Sequence, residues 1–166
     1  MEASSHGLEQ NRLDGLLFNM GIFTNLSQDH LDYHKNFKNY LDAKLYLFKN
    51  LIKKRGIVIS DEEIPEFKKI KKITLSKDLR LYSLSDKKND FQILSHEFSG
   101  ESQIINFKYK NIIRKIKVDL IGKIQLKNVL MAVIAANRSN IDIKKIFEVM
   151  PKIKSVEGRF EKVGNI

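Results

Sequence analysis

The chain is predicted to fold as an α/β protein, a parallel sheet with flanking helices and a small antiparallel sheet attached. Three observations lead there. Two short apolar runs, Leu16-Leu17-Phe18-Asn19-Met20-Gly21-Ile22-Phe23 and Gly56-Ile57-Val58-Ile59-Ser60, enclose a segment of helical period. Runs this apolar suit strands covered on both faces, the usual condition of a parallel sheet. Further on, three strand-like segments follow one another with no helix between them, which is the mark of antiparallel neighbours. Helical periodicity then returns near the end.

Taken in order, the first buried strand is expected over 16–23, and Ser27-Gln28-Asp29 can cap the helical turn that follows. Phe37 to Asn50 reads as a helix: Phe37, Tyr40, Leu41, Lys44, Leu47 and Phe48 recur at three- and four-residue steps and mark one inward face. The second buried strand is 56–60, after which Asp61 is expected to open a short charged helix. Phe91 to Phe98, Gln103 to Tyr109 and Ile112 to Leu120 are the three later strands, with Ser99-Gly100 marking one turn and Lys110-Asn111 the right length for a tight hairpin. In the last of them Ile112, Arg114, Ile116, Val118 and Leu120 share a face, opposite Lys115, Lys117 and Asp119. Helices are expected at Gln125–Asn137 and Asp142–Met150, the second ended by Pro151.

Composition narrows the classes. A length of 166 residues is about one domain, with ordinary apolar content for a core. The absence of cysteine excludes disulfides and thiolate metal sites. No basic segment followed by an apolar one opens the chain. No window approaches the roughly 18 uninterrupted apolar residues of a membrane span, so a cytoplasmic protein without a membrane partner is expected. The net charge of +10 suggests nucleic acid, but lysine far outnumbers arginine and is scattered rather than interleaved with aromatic rings, so nucleic acid is not expected as a partner.

Chemistry concentrates near the start. Three of the four histidines lie in the first 34 residues, and Thr24 to His34 is dense in imidazole and carboxylate. Such a set favours magnesium or manganese, while the four-residue spacing of His30 and His34 also permits zinc on a helix. The plain alternative is a capped turn with solvated side chains. Lys44 falls within the apolar stripe, where partial desolvation lowers an amine's pKa and makes it more reactive; most lysines, however, simply sit on solvated surface.

Met1-Glu2-Ala3-Ser4-Ser5-His6-Gly7-Leu8, with Gln10 and Arg12, resembles the M-E-x-S-S-H-x-L-x-Q-x-R segment of Mur ligases. Phe23 to His34 is similar to their F-T-N-L-S-x-D-H-L-D-Y-H block, Tyr40 to Phe48 to their Y-x-x-A-K-x-x-L-F helix, and Ser155 to Glu161 to their V-x-G-R-x-E segment. The four motifs stand in order across nearly the whole chain and most resemble the MurE type; folylpolyglutamate synthetases share the general pattern without D-H-L-D-Y-H and S-S-H together.

The resemblance implies the C-terminal part of a P-loop-type central domain over residues 1–166, with an ATP-dependent ligase activity that adds diaminopimelate or lysine to UDP-MurNAc-L-Ala-D-Glu. By the same resemblance Glu2, His30 and a carbamylated Lys44 serve Mg2+ and catalysis, Ser4, Gln10 and Arg12 contact the muramoyl peptide, and Gln125, Asn128 and Arg159 lie at the ATP site. Gly122-Lys123-Ile124-Gln125-Leu126-Lys127-Asn128 departs from the family's G-x-F-N-x-x-N, with Ile124 in place of an aromatic ring. No G-x-x-x-x-G-K-[ST] loop occurs in these residues, and no strand precedes the Glu2–His6 cluster. The UDP-binding domain, the phosphate loop and the amino-acid-binding domain are thus expected to be absent and the chain inactive alone, a partner for complementary ligase fragments. A basic, non-catalytic binding module or a non-functional remnant are the alternatives.

Overall fold

A computed structural model describes residues 1–27, 30–85, 91–99, 102–120 and 122–154. The chain divides into two compact units, Met1–Tyr82 and Ser83–Ile166. The predicted α/β class is correct.

In the first unit α1 (Ser5–Glu9) leads into β1 (Phe18–Phe23), followed by α2 (Leu31–His34) and α3 (Phe37–Tyr46). A π-helical turn, Leu47–Leu51, passes the chain into β2 (Ile52–Asp61); α4 (Phe67–Ser76) and β3 (Arg80–Leu84) follow. The strand order is β1-β2-β3, and β1 pairs parallel with β2. Met20, Gly21, Ile22 and Phe23 meet Ile57, Val58, Ile59 and Ser60 in register, but Phe18 pairs with Ile52, so β2 spends five residues where β1 spends two. Arg55 in the left-handed region (φ 58°) and Gly56 absorb the surplus. Phe23, Leu41, Leu45, Phe48, Ile52, Val58 and Ile70 form the core.

Several boundaries differ from expectation. Leu16 and Leu17 are 47% and 60% exposed, because pairing with β2 begins only at Phe18. From there burial alternates along β1, an edge strand of this sheet, rather than covering both faces. Gln28 and Asp29 of the expected cap lie outside the described residues; the residue before α2 is His30, which makes no side-chain cap. Phe37 faces outward while Leu45, outside the predicted stripe, is buried. Asp61 ends β2 instead of opening a helix: its Oδ1 accepts from the Glu63 N–H at 2.9 Å, and α4 begins only after Pro65, at Phe67.

In the second unit β4 (Phe91–Ser99), β5 (Ser102–Tyr109) and β6 (Ile112–Val118) form an antiparallel sheet in that order. Tyr109 pairs with Ile112 across the expected two-residue turn at Lys110-Asn111, and Gly100 lies outside the described residues. Then come α5 (Lys123–Arg138) and α6 (Ile143–Val149), capped by Asp142. Pro151 sits in a 3-10 turn, Met150–Lys152, that closes the helix as expected. Phe107 is fully buried between Phe91, stacked at 5.2 Å, and Phe147, edge-on at 5.3 Å. Ring pairs at such spacing add about 0.5–1.5 kcal/mol beyond burial.

Candidate ligand and metal site

In the first unit the residues on either side of α1 include Glu2 and Ser4 before it and Gln10 and Arg12 after it, all exposed. Ser4 is the N-cap of α1, its Oγ accepting from the Gly7 N–H at 3.1 Å. That leaves its hydroxyl proton for another acceptor. Gln10 ends the helix, and its Nε2 donates to Tyr33 Oη at 2.9 Å. Tyr46 Oη donates to the Asp14 carboxylate at 2.9 and 3.1 Å. That hydrogen bond, first of all, raises the Tyr46 pKa above its ordinary 10.0.

Aromatic rings join this segment to α2 and α3. The His6 ring lies 4.9 Å from His30 and 4.0 Å from Tyr33. His30 is exposed, held in the left-handed region (φ 58°) just before α2, with Tyr40 edge-on at 6.0 Å. Lys44, in the last turn of α3, is half-buried with Nζ 5.4 Å from the Tyr40 ring centre. The semi-buried lysine expected from the apolar stripe is therefore present.

Zinc held jointly by His30 and His34 is not supported. The helix begins only at Leu31, so the two do not share a helical face. His34 is buried, with Nε2 on Ser5 and Nδ1 beside Glu9. Among the described residues no three His, Cys, Asp or Glu side chains converge on a metal position. Magnesium asks for less. It is commonly held by one or two protein carboxylates with water and substrate oxygens completing an octahedron. The exposed Glu2 carboxylate is an oxygen donor of that kind.

In the second unit Gln125 and Asn128 are half-buried in the first turns of α5, whereas Ile124 is 52% exposed. Arg159 lies outside the described residues. The helix start is held by Gln103, which is fully buried and donates from Nε2 to the carbonyls of Leu120 at 2.6 Å and Gly122 at 3.1 Å. Gln103 is not singled out by the sequence, and His34 only as one half of a zinc pair with His30. Gln103 stands in an alternating strand where an inward amide is out of place, and that irregularity was the available signal.

Residues 1–136 match the family model of the Mur ligase middle domain. The chain belongs to that family. This Mur ligase middle domain is 40% identical over 162 residues to the UDP-N-acetylmuramoyl-L-alanyl-D-glutamate–2,6-diaminopimelate ligase of Rickettsia bellii, covering 98% of the chain and 34% of that protein. A solved structure of a ligase with that same name aligns at TM-score 0.84 and 27% identity, over 99% of this chain and 34% of the other. A MurF ligase from Thermotoga maritima, solved in complex with ADP, shares the fold at TM-score 0.72 and 15% identity, over 95% and 35% of the two chains. The Mur ligase middle domain described here thus spans about one third of the length of its relatives. Among the described residues no helix is long and apolar enough to cross a membrane.

Proposed function

We propose that the chain supplies the middle part of an ATP-dependent peptide ligase of peptidoglycan precursor synthesis in the cytoplasm. The ligase joins diaminopimelate or lysine to UDP-MurNAc-L-Ala-D-Glu. The terminal phosphoryl group of ATP passes to the D-glutamate carboxylate, giving an acyl phosphate and ADP. The incoming amine then attacks the acyl carbon, phosphate leaves, and the amine gives up a proton as the amide forms.

In this reading Ser4 donates its hydroxyl proton to a substrate oxygen, while Gln10 and Arg12 add an amide and a cation on the same side. Gln125 and Asn128 on α5 meet the nucleotide, joined by Arg159 near its phosphates. Glu2 and His30 would hold Mg2+, and Lys44, once carbamylated, would present an anion in place of a cation. The metal, when bound, neutralises charge on the phosphoryl oxygens. These 166 residues contain no phosphate-loop sequence, so alone they do not ligate.

The observation that carries the reading is the tie between the two motif segments, with His6 of α1 against His30 at 4.9 Å. The test is a chimera in which residues 1–166 replace the matching stretch of the Rickettsia bellii ligase. ATP-dependent tripeptide formation is expected. Glu2→Gln, His30→Ala and Lys44→Ala should each reduce kcat by about a hundredfold or more, the scale set by removing one electrostatic contact to a transition state. A folded chimera that makes no tripeptide, or one indifferent to all three substitutions, refutes the assignment.

A further inference from the structure

His34 is buried between α1 and α3, its side chain showing no exposed surface. Nε2 lies 2.9 Å from Ser5 Oγ, and Nδ1 lies 3.0 Å from Glu9 Oε2. The ring stacks on Tyr40 of α3, centres 5.0 Å apart and planes within 16°, and meets His6 at 5.3 Å. Ser5 and Glu9 are the first and last residues of α1, so one imidazole reaches both ends of that helix.

The two nitrogens have different partners, and the difference fixes their roles. An ionised carboxylate only accepts, so its close approach favours a proton on Nδ1. Nε2 is then the acceptor, and the Ser5 hydroxyl is the donor that meets it. Nδ1 has no well-aligned hydrogen bond despite its distance from Glu9. The Ser5 bond therefore supplies the directional hold, while the Glu9 charge selects the tautomer.

We propose that His34 is a positioning residue: in its Nδ1–H tautomer it takes the Ser5 hydroxyl at Nε2 and so orients Ser4 and Gln10 toward the substrate. This rests on the reading of Ser4 and Gln10 as substrate contacts. Ser4 directly precedes Ser5, and Gln10 directly follows Glu9. A rotation of α1 about its axis would carry both away together. His34 itself touches no reacting group and acts through Ser5 and Glu9. If it were only a space-filling ring on Tyr40, phenylalanine would replace it without effect.

Histidine side-chain 15N–1H correlation spectra of the full 166-residue chain test the first half. His34 is expected protonated at Nδ1 and bare at Nε2, and Ser5→Ala should turn that single form into a mixture. A proton on Nε2 in the wild-type chain, or a Ser5→Ala spectrum identical to wild type, overturns the proposal. The second half uses UDP-MurNAc-L-Ala-D-Glu as probe, followed at the Ser4 and Gln10 amides. Losing a buried hydrogen-bond partner should weaken binding about tenfold or more in His34→Phe and Ser5→Ala. His34→Gln, whose side-chain oxygen can take the Ser5 hydroxyl, should restore most of it. Equal binding by His34→Phe and wild type overturns the proposal; if His34→Phe does not fold, equal binding by Ser5→Ala does so. A wild-type chain whose Ser4 and Gln10 amides ignore the probe removes the substrate reading, and the tautomer result then decides the hold on α1 by itself.

Discussion

At Gly56 a Cβ would sit 2.5 Å from Ile52 Cγ2, 2.7 Å from the Lys53 carbonyl oxygen and 3.1 Å from that of Asn19. Two of these neighbours are backbone and cannot swing aside. Gly56→Ala should therefore cost about 3 kcal/mol, the upper part of the usual overpacking range. At Gly21 the near atoms are the tips of Phe48 and Ile52 at 2.9 and 3.0 Å, so Gly21→Ala should cost only about 1 kcal/mol. Urea unfolding of both variants checks the order, and equal losses would show that the backbone at Lys53 gives way.

Tyr46 yields a pH prediction. Its pKa is raised by the bond to Asp14, so the folded state holds the phenolic proton more tightly than the unfolded chain. Stability from this contact is fully present below the ordinary 10.0 and is lost as pH rises through the higher folded value. Asp14→Asn should bring the Tyr46 titration, followed by ultraviolet absorbance, back toward 10.0. A titration unmoved by the substitution would sink the assignment. Neither pair was legible beforehand. Glycine in a strand announces close approach but not what approaches, and Asp14 and Tyr46 stand 32 residues apart. Lys44 was legible, because a lysine inside an apolar stripe contradicts its neighbours locally.

Elements were legible where local pattern and tertiary pairing agree. α5 and the β5–β6 hairpin stand within about two residues of their expected ends, typical scatter for such boundaries. β3 and α1 were not foreseen. Arg80–Leu84 gains its strand geometry from β2, and five-residue α1 is held by its Ser4 cap and by His34 rather than by periodicity. At the β5–β6 turn Lys110 has φ 53°, a region that disfavours side chains with a Cβ. Lys110→Gly should raise stability by about 0.5–1 kcal/mol, the strain relieved exceeding the entropy glycine adds to the unfolded chain. A lower thermal midpoint for the glycine variant would contradict that.

For the whole molecule, the α/β class and its attached antiparallel sheet were readable from the order of apolar runs, whereas the division into two units was not. Nothing in the composition between Tyr82 and Ser83 marks a boundary, because the change there is in which residues pack together, not in which residues occur. The two sheets also differ in how far along the chain their partners lie. β5 and β6 are joined by two residues, but β1 must wait for α2, α3 and the π turn before β2 exists to receive it. Chain closure over two residues takes microseconds, while pairing across a long crossover is slower because loop entropy is lost before any contact compensates. The order of events in refolding is thereby written into the connectivity: amides of Ile105 and Phe107 should resist exchange earlier in pulse labelling than those of Val58 and Ile59. During that interval β1 has an unsatisfied edge, and the span between the two events is when the newborn chain is most open to pairing with a neighbour instead of with itself.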